Sequence, residues 1–431
     1  YGNGLFSYNF YNSQLTHYSY SNAESGLSSD YLLSLTIDKN ENIWVGTENT
    51  GVNKLTFTNR NVKLIYPNIQ QNQHNSNVVR AFLEDSKGNF WVSTRTGNLY
   101  IYDRNFTEPK IVYENKYSVY NMMEDKAGDI WLSTKKDGLI QLKNGKLSGA
   151  IQHLNNSNPG SLSYNSVFSS IQDKKGRIWA ATFGGGLSVK LAADGLNNFK
   201  TFFNSDEWVK FTRYLLLDSK GYIWMGSSYG VYKFNPDSLL NNPKAFKYYS
   251  FSTNNPEGLS NPEVRYIYED SKGEIWLATS GGGVNKYLGE TPDGNGRFKA
   301  YTNKTKMAND NITAMLEDKK GNIWISSESG LHKLTAESGT FQTYRFTNDL
   351  ASNIFSETAA LKCRDGRMLW GSLNGFYVFN PEDILLAEKK KNKVIIKGFK
   401  IFDSAARIAS MNAKLKKTIT LSEKITLKSS D

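Results

Sequence analysis

One spacing constrains this chain more than anything else in it. In Asp85-Ser86-Lys87-Gly88-Asn89-Phe90-Trp91, a glycine follows an aspartate by three residues and a tryptophan follows the glycine by three more. The same spacing returns at Asp125/Gly128/Trp131, Asp173/Gly176/Trp179, Asp218/Gly221/Trp224, Asp270/Gly273/Trp276 and Asp318/Gly321/Trp324. Asp38/Glu41/Trp44 is a copy whose glycine is replaced, and Cys363/Gly366/Leu369 is a degenerate copy with Trp370 displaced by one position. Neighbouring copies begin between 40 residues apart (Asp85 to Asp125) and 52 (Asp218 to Asp270). A period of that size means a stacked repeat architecture.

Each copy reads as strands. An apolar run such as Val78-Val79-Arg80-Ala81-Phe82-Leu83 leads into Asp-x-x-Gly, a hairpin turn in which Asp caps its own backbone and Gly takes the positive φ. A second strand follows, as in Ile323-Trp324-Ile325-Ser326-Ser327, and then a bend such as Gly184-Gly185-Gly186 or Gly281-Gly282-Gly283. Gly230-Val231-Tyr232-Lys233-Phe234 reads as a third strand and Phe246-Lys247-Tyr248-Tyr249 as a fourth. Four strands in about 45 residues is the size of one β-propeller blade. No segment sustains a 3.6-residue period, so little helix is expected. The fold class is therefore all-β, a propeller of four-stranded antiparallel blades over residues 1–388. A lone four-stranded sheet leaves two faces bare, and stacking around an axis buries them. The repeated Trp reads as the packing between blades.

A seven-bladed ring is favoured, made of repeats two to eight, with residues 1–60 belonging to a preceding unit; eight blades is the alternative. The last copy, ending Asn374-Gly375-Phe376-Tyr377-Val378-Phe379-Asn380-Pro381, lacks a fourth strand. Leu15-Thr16-His17-Tyr18 or Val62-Lys63-Leu64-Ile65 is placed to supply one and close the ring.

The formal charge of +11 invites a nucleic-acid reading, but its location argues otherwise. Residues 389–431 hold 12 Lys plus Arg against 3 acids, a net of +9, which leaves 11 − 9 = +2 for the other 388 residues. A nucleic-acid binder concentrates its charge on the folded face, so no nucleic-acid partner is expected. The single cysteine, Cys363, excludes an internal disulfide and a thiolate metal cluster. There is no apolar run of membrane-spanning length. Tyr1-Gly2-Asn3-Gly4 is no signal peptide, and the chain begins and ends in mid-pattern, as a fragment would.

Catalysis should show as a reactive constellation that departs from the repeat. Of the four histidines, His17, His153 and His332 fall in strand-like segments and His74 in a loop, with no metal-ligand spacing and no nucleophile elbow. The recurring aspartates are explained as turn caps. The glycine-rich bends lack the Lys-Ser/Thr of a phosphate loop. No cofactor and no metal is expected, and a binding domain is favoured over an enzyme.

The informative residues are those the repeat leaves free to vary near the axis. Five residues before the turn Asp stand Leu33, Arg80, Tyr120, Phe168, Arg213, Arg265, Thr313 and, counted from Cys363, Thr358. A purely structural position would keep one apolar type. Three Arg and two aromatics are the types that grip anionic or sugar-like groups by forked hydrogen bonds and ring stacking, so Arg80, Tyr120, Phe168, Arg213 and Arg265 are candidate ligand residues. The competing reading is arginines lining a solvated channel. Trp208, the one Trp outside both the repeat position and its displaced copy, joins the candidates as a platform or a packing plug. Arg95, Phe183 and Tyr229, each beside a bend, complete the rim.

These residues carry a resemblance. Asp-x-x-Gly-x-Ile-Trp followed by Gly-Gly-Gly-Val or Gly-Gly-Gly-Leu resembles the two-component regulator propeller repeat, found in periplasmic sensor regions of hybrid two-component systems of gut Bacteroidota. Gly375 to Pro381 resembles the family's final blade. Val394-Ile395-Ile396-Lys397-Gly398-Phe399-Lys400-Ile401-Phe402, then Leu415 to Leu427, resembles the opening strands of the immunoglobulin-like domain that joins such propellers to the membrane, which makes 389–431 a truncated start of that domain. The resemblance implies a periplasmic, non-enzymatic sensor region that binds oligosaccharides from polysaccharide breakdown. It would act as a homodimer and signal to a histidine kinase through membrane segments outside this sequence. A protein-binding scaffold and, less favoured, a propeller lyase or hydrolase are the alternatives, since a fold alone does not fix function.

Overall fold

A computed structural model describes residues 2–384 apart from 10–13, 22–25, 39–42, 56–60, 69–73, 115–116, 144, 156, 159, 192–197, 205–208, 306 and 347–349, and beyond them only 400–401 and 404–405. The chain divides into two compact units, Phe57–Ile384 and Tyr1–Thr56 with Leu385–Asp431.

Phe57–Ile384 is a ring of seven four-stranded antiparallel sheets. Blades 1 to 6 span 79–114, 119–152, 167–202, 212–249, 264–301 and 312–344, each a simple meander whose first strand is innermost. Blade 7 takes its first three strands from 355–379 and its outermost from Val62–Ile65, which pairs with Phe376–Phe379 in the register Phe376↔Ile65 to Phe379↔Val62. The ring is thus closed by its own N-terminal strand, which completes the last blade as its outermost strand. Helix is confined to Pro236–Asn241 and four short 3-10 turns among the described residues.

The Asp-to-Trp spacing has a direct cause. In blade 1, Asp85 Oδ1 accepts from the backbone N–H of Lys87 (3.0 Å) and Asn89 (2.8 Å), tying the turn. Its Oδ2 accepts the indole Nε1–H of Trp91 at 2.9 Å. The indole clasp repeats at 2.8–2.9 Å from Asp125–Trp131 through Asp318–Trp324. One carboxylate therefore satisfies the turn and the only polar atom of a buried Trp, which a six-residue offset on a hairpin allows. Burial alone would raise the Asp85 carboxyl; the bonds from Trp91, Asn89 and Lys87 outweigh it and hold it below the usual range.

With its N–H satisfied, each Trp packs against the next blade. Trp91 meets Val119, Met122 and Ile130 of blade 2, and Trp179 meets Leu215, Ile223 and Met225 of blade 4. Blade 7 breaks the pattern. Cys363 replaces the aspartate and Leu369 takes the Trp position facing blade 1, where Phe82, Phe90, Tyr102, Phe106 and Phe376 fill the space. Trp370, one residue on, points to the opposite face of its strand and packs toward blade 6 beside Trp324.

A second tie runs around the turn face. Ser86 donates its backbone N–H (2.6 Å) and hydroxyl (2.6 Å) to Glu124 of the next blade. Ser219 does the same to Glu269, and Ser271 to Glu317. Arg364 N–H to Glu84 (2.8 Å) carries the tie across the closure from blade 7 to blade 1.

In the other unit, the first repeat copy is a three-stranded sheet, Leu32–Ile37, Ile43–Thr47 and Val52–Leu55, with the same clasp between Asp38 and Trp44 at 2.9 Å. Leu15–Tyr18, the other candidate for ring closure, pairs instead with Leu5–Tyr8. The immunoglobulin-like start expected over 389–431 falls outside the described residues except for Lys400–Ile401 paired with Ser404–Ala405.

A candidate ligand site at the ring of bulges

The variable position is a β-bulge. In blade 1, Val79 pairs with Thr94 and Ala81 with Ser93, which leaves Arg80 without a partner. Tyr120, Phe168, Arg213, Arg265 and Thr313 are the extra residues at the same point of blades 2 to 6. A bulge bends the strand and re-aims the extra side chain. Six innermost strands are therefore bulged at one point, and five of them direct the extra residue to one mouth of the channel.

Blade 7 is different again. Phe355 pairs with Ser372 and the register resumes only at Ala360 with Trp370, so Ser356, Glu357 and Thr358 lie where the other blades spend one residue. Thr358 takes a φ of 61°, and its hydroxyl reaches the Tyr120 carbonyl at 3.5 Å. Glu357 crosses the channel to Arg213 of blade 4, 3.3 Å away.

The site has two halves. One is aromatic: Tyr120 to Phe168 at 4.6 Å between ring centroids, Phe168 to Phe183 at 4.9 Å, and Phe183 to Phe211 at 5.0 Å. Arg80 lies over Tyr120 at 5.9 Å, and Arg213 over Phe183 at 5.0 Å. The other half is ionic. Arg213 is paired with Glu263 (2.6 Å) as well as Glu357, and its Nε donates to the Ser228 hydroxyl at 3.3 Å. Arg265 is paired with Glu263 at 3.2 Å and lies 4.0 Å from Glu357. Burial raises the Tyr120 hydroxyl pKa and Arg80 partly offsets the rise. Burial lowers that of the Arg80 guanidinium, and the charge of Arg95 adds to the effect.

Of the residues expected at the site, Arg80, Tyr120, Phe168, Arg213, Arg265 and Phe183 form one connected cluster. Arg95 is exposed on the rim, within electrostatic reach of Arg80 and Tyr120. Tyr229 is half-buried in the blade 4 bend, its carbonyl accepting from the Tyr248 hydroxyl at 2.5 Å. Trp208 lies outside the described residues. Thr313 turns into its own blade, where its hydroxyl meets that of Ser326 at 2.7 Å. The bends hold the loops in place by close approach: a Cβ on Gly282 would sit 2.5 Å from the Asn261 Cβ.

Sequence reasoning missed Phe211, Glu263 and Glu357. For Glu357 a signal existed. Asn353-Ile354-Phe355 matches Asn77-Val78-Val79 as the start of a first strand, yet Phe355 stands eight residues before Cys363 and Val79 six before Asp85. The two extra residues are the insertion that carries the carboxylate. Among the described residues, no group of three or more His, Cys, Asp or Glu is placed to hold a metal ion.

The comparisons agree with this architecture. Residues 26–49, 73–96, 161–184, 258–281 and 306–329 match the two component regulator propeller model, so these five segments are two-component regulator propeller repeats. No curated protein matches it in sequence. In structure it resembles the extracellular domain of a protein described as a hybrid two-component system of B. thetaiotaomicron, at 24% identity and a TM-score of 0.68 over 92% of this chain and 52% of that one. The chain thus spans about half the length of that relative. It also resembles virginiamycin B lyase from Staphylococcus aureus, at 12% identity and a TM-score of 0.55 over 74% of this chain and 98% of that one. PorZ of Porphyromonas gingivalis, a surface component of the type-IX secretion system, is similar at 13% identity and 0.53, over 79% and 55%. At these identities the structural likenesses establish the propeller fold. No helix among the described residues is long and apolar enough to cross a membrane.

Proposed function

We propose that the seven-bladed ring is the ligand-sensing part of a periplasmic two-component receptor, and that the ring of bulges takes an oligosaccharide. One observation carries this reading. The turn face of the ring is built from the same Asp, Trp and Glu ties over and over, whereas the bulges hold three Arg, a Tyr, a Phe and a Thr, of which the Arg, Tyr and Phe converge on one mouth. An aromatic row of Tyr120, Phe168 and Phe183 beside arginines and carboxylates suits sugar rings, whose C–H faces stack and whose hydroxyls need donors and acceptors together. The repeat type supports a regulatory role, and the propeller would work within a longer, dimeric receptor whose kinase output lies elsewhere.

The lyase likeness supplies a second reading, because that enzyme shares the fold. In this chain the buried His332 is held between the Ser327 and Thr343 hydroxyls of its own blade. Calorimetry against a library of neutral and acidic oligosaccharides tests both readings. Binding that survives without product formation, and that Phe168→Ala weakens by at least roughly tenfold, about 1.4 kcal/mol, supports the sensor. Turnover of a bound sugar supports the lyase, and binding indifferent to Phe168→Ala removes the site.

A further inference from the structure

The four arginines at the mouth are not equivalent. Arg213 and Arg265 are neutralised by Glu263 and Glu357. Among the described residues Arg80 has neither an ion pair nor a hydrogen bond, and its Nε is fully buried without an acceptor. A buried donor on a charged group is costly to leave unpaired. Folding does not remove the charge, since a guanidinium does not lose its proton in a protein. The Tyr120 ring beneath it offers no hydrogen-bond acceptor oxygen to the guanidinium among the described residues, and no carboxylate is free to pair with it. Arg95 adds a second positive charge with no ion pair of its own among the described residues, and Glu357, the carboxylate whose charge reaches Arg80, is already committed across the channel to Arg213. Of these four arginines, Arg80 and Arg95 are the two with no ion pair among the described residues.

Resting on the sensor reading of the same mouth, we infer that the Arg80 corner takes the anionic group of an acidic sugar. A planar guanidinium offers forked donors to a carboxylate or a sulfate, two groups that present paired oxygens in the same way. Arg80 lies over the Tyr120 ring, and that ring leads directly to Phe168. A sugar ring laid on these two aromatics brings a carboxylate on its own carbon, or a sulfate ester on its exocyclic oxygen, to the guanidinium. The anion then pairs with the terminal N–H groups of Arg80, which are not among the buried unpaired atoms, and it lowers the repulsion between Arg80 and Arg95.

The test follows the side-chain Nε–H signals of 15N-arginine-labelled protein, with the Arg80 signal assigned by its loss in Arg80→Gln. The probes are sodium glucuronate, glucose 6-sulfate and glucose, at equal ionic strength set with chloride. The Arg80 signal is expected to move saturably with glucuronate or glucose 6-sulfate and to stay in place with glucose. Arg80→Gln should weaken the effective anion by at least about tenfold, and Arg80→Lys, which keeps the charge without the fork, should fall between. Response to glucuronate alone assigns a carboxylate, and response to glucose 6-sulfate alone assigns a sulfate ester. An Arg80 signal unmoved by either anion, or moved equally by glucose, overturns the inference. Neutral oligosaccharide binding lost in Phe168→Ala but unchanged in Arg80→Gln sinks this inference and leaves the sensor reading standing.

Discussion

The Asp–Trp clasp should behave as a coupled unit, and blade 5 is the place to measure it. Asp270 Oδ1 accepts from Lys272 N–H (3.0 Å) and Glu274 N–H (2.9 Å), while Oδ2 accepts from Trp276 Nε1 at 2.8 Å. Asp270 is 8% exposed and Trp276 4%, so water does not replace the lost acceptor at the indole. Asp270→Ala orphans the indole N–H and the Glu274 N–H; Lys272 is exposed and its N–H is free to hydrate. At about 1–3 kcal/mol per buried orphan, the loss is about 2–6 kcal/mol. Trp276→Phe keeps an aromatic ring against blade 6 and removes the donor, a loss of about 1.5–3 kcal/mol for a bond to a charged acceptor. In the double variant the orphaned indole no longer exists, so the combined loss should fall short of the sum by at least about 1 kcal/mol. Urea unfolding followed by far-ultraviolet circular dichroism measures all three. Losses that add within about 0.5 kcal/mol would mean the two residues act independently, and the explanation of the repeat spacing would fall with them. The protein contains its own version of the double change, since Cys363 and Leu369 replace both partners in blade 7.

Four further outcomes are expected. His332 is buried with its pKa pushed down to about 4 by burial and the Arg345 charge. The unfolded chain therefore binds a proton that the folded one refuses between about pH 6.5 and 4. Stability is full above that window and falls by about 3 kcal/mol across it, and His332→Gln should flatten this acid limb in urea titrations. Gly375 and Gly88 have similar φ values, 89° and 82°, but a Cβ at 375 would sit 2.6 Å from the Ile65 carbonyl, whereas none of the surrounding atoms comes within 4 Å at 88. Gly88→Ala should cost about 1 kcal/mol of conformational strain and Gly375→Ala clearly more, by opening the closure strand; equal losses would refute its role. Arg213→Ala leaves Glu263 and Glu357 to share Arg265 and should lower the thermal midpoint, by an amount equivalent to about 1–3 kcal/mol, even without ligand. The Cys363 thiol, buried and pushed up to about 12, should react with a thiol reagent only as fast as the protein unfolds.

The fold was legible because its determinants are local and repeated. Asp, Gly and Trp must stand at fixed offsets for one carboxylate to reach two backbone N–H groups and an indole, and such offsets survive in sequence. The closure strand Val62–Ile65 was one of two readings, because a four-residue apolar alternation says nothing about which distant edge it will meet. The site was legible only where it obeyed the repeat. Counting back from the turn Asp found the bulge residues Arg80 to Arg265, since each bulge sits at a constant distance from its hairpin. Glu357 escaped the count because its blade carries two extra residues, and Glu263 because it lies before the strand that aims Arg265.

The division between the two ends of each hairpin also explains how such a ring can vary its mouth without losing its fold. Substitutions at the turn strike buried donors whose only acceptor is one carboxylate, and the loss spreads to the next blade through the Trp. A bulge residue is already outside the ladder, so exchanging it removes no strand-to-strand hydrogen bond. The exception is where a bulge residue has been recruited into the framework. Arg213 and Arg265, held by Glu263 and Glu357, have become part of the structure of the mouth, and their charges are spent on it. Arg80, built at the same point of its strand and left unpaired, keeps its charge for something that comes from outside.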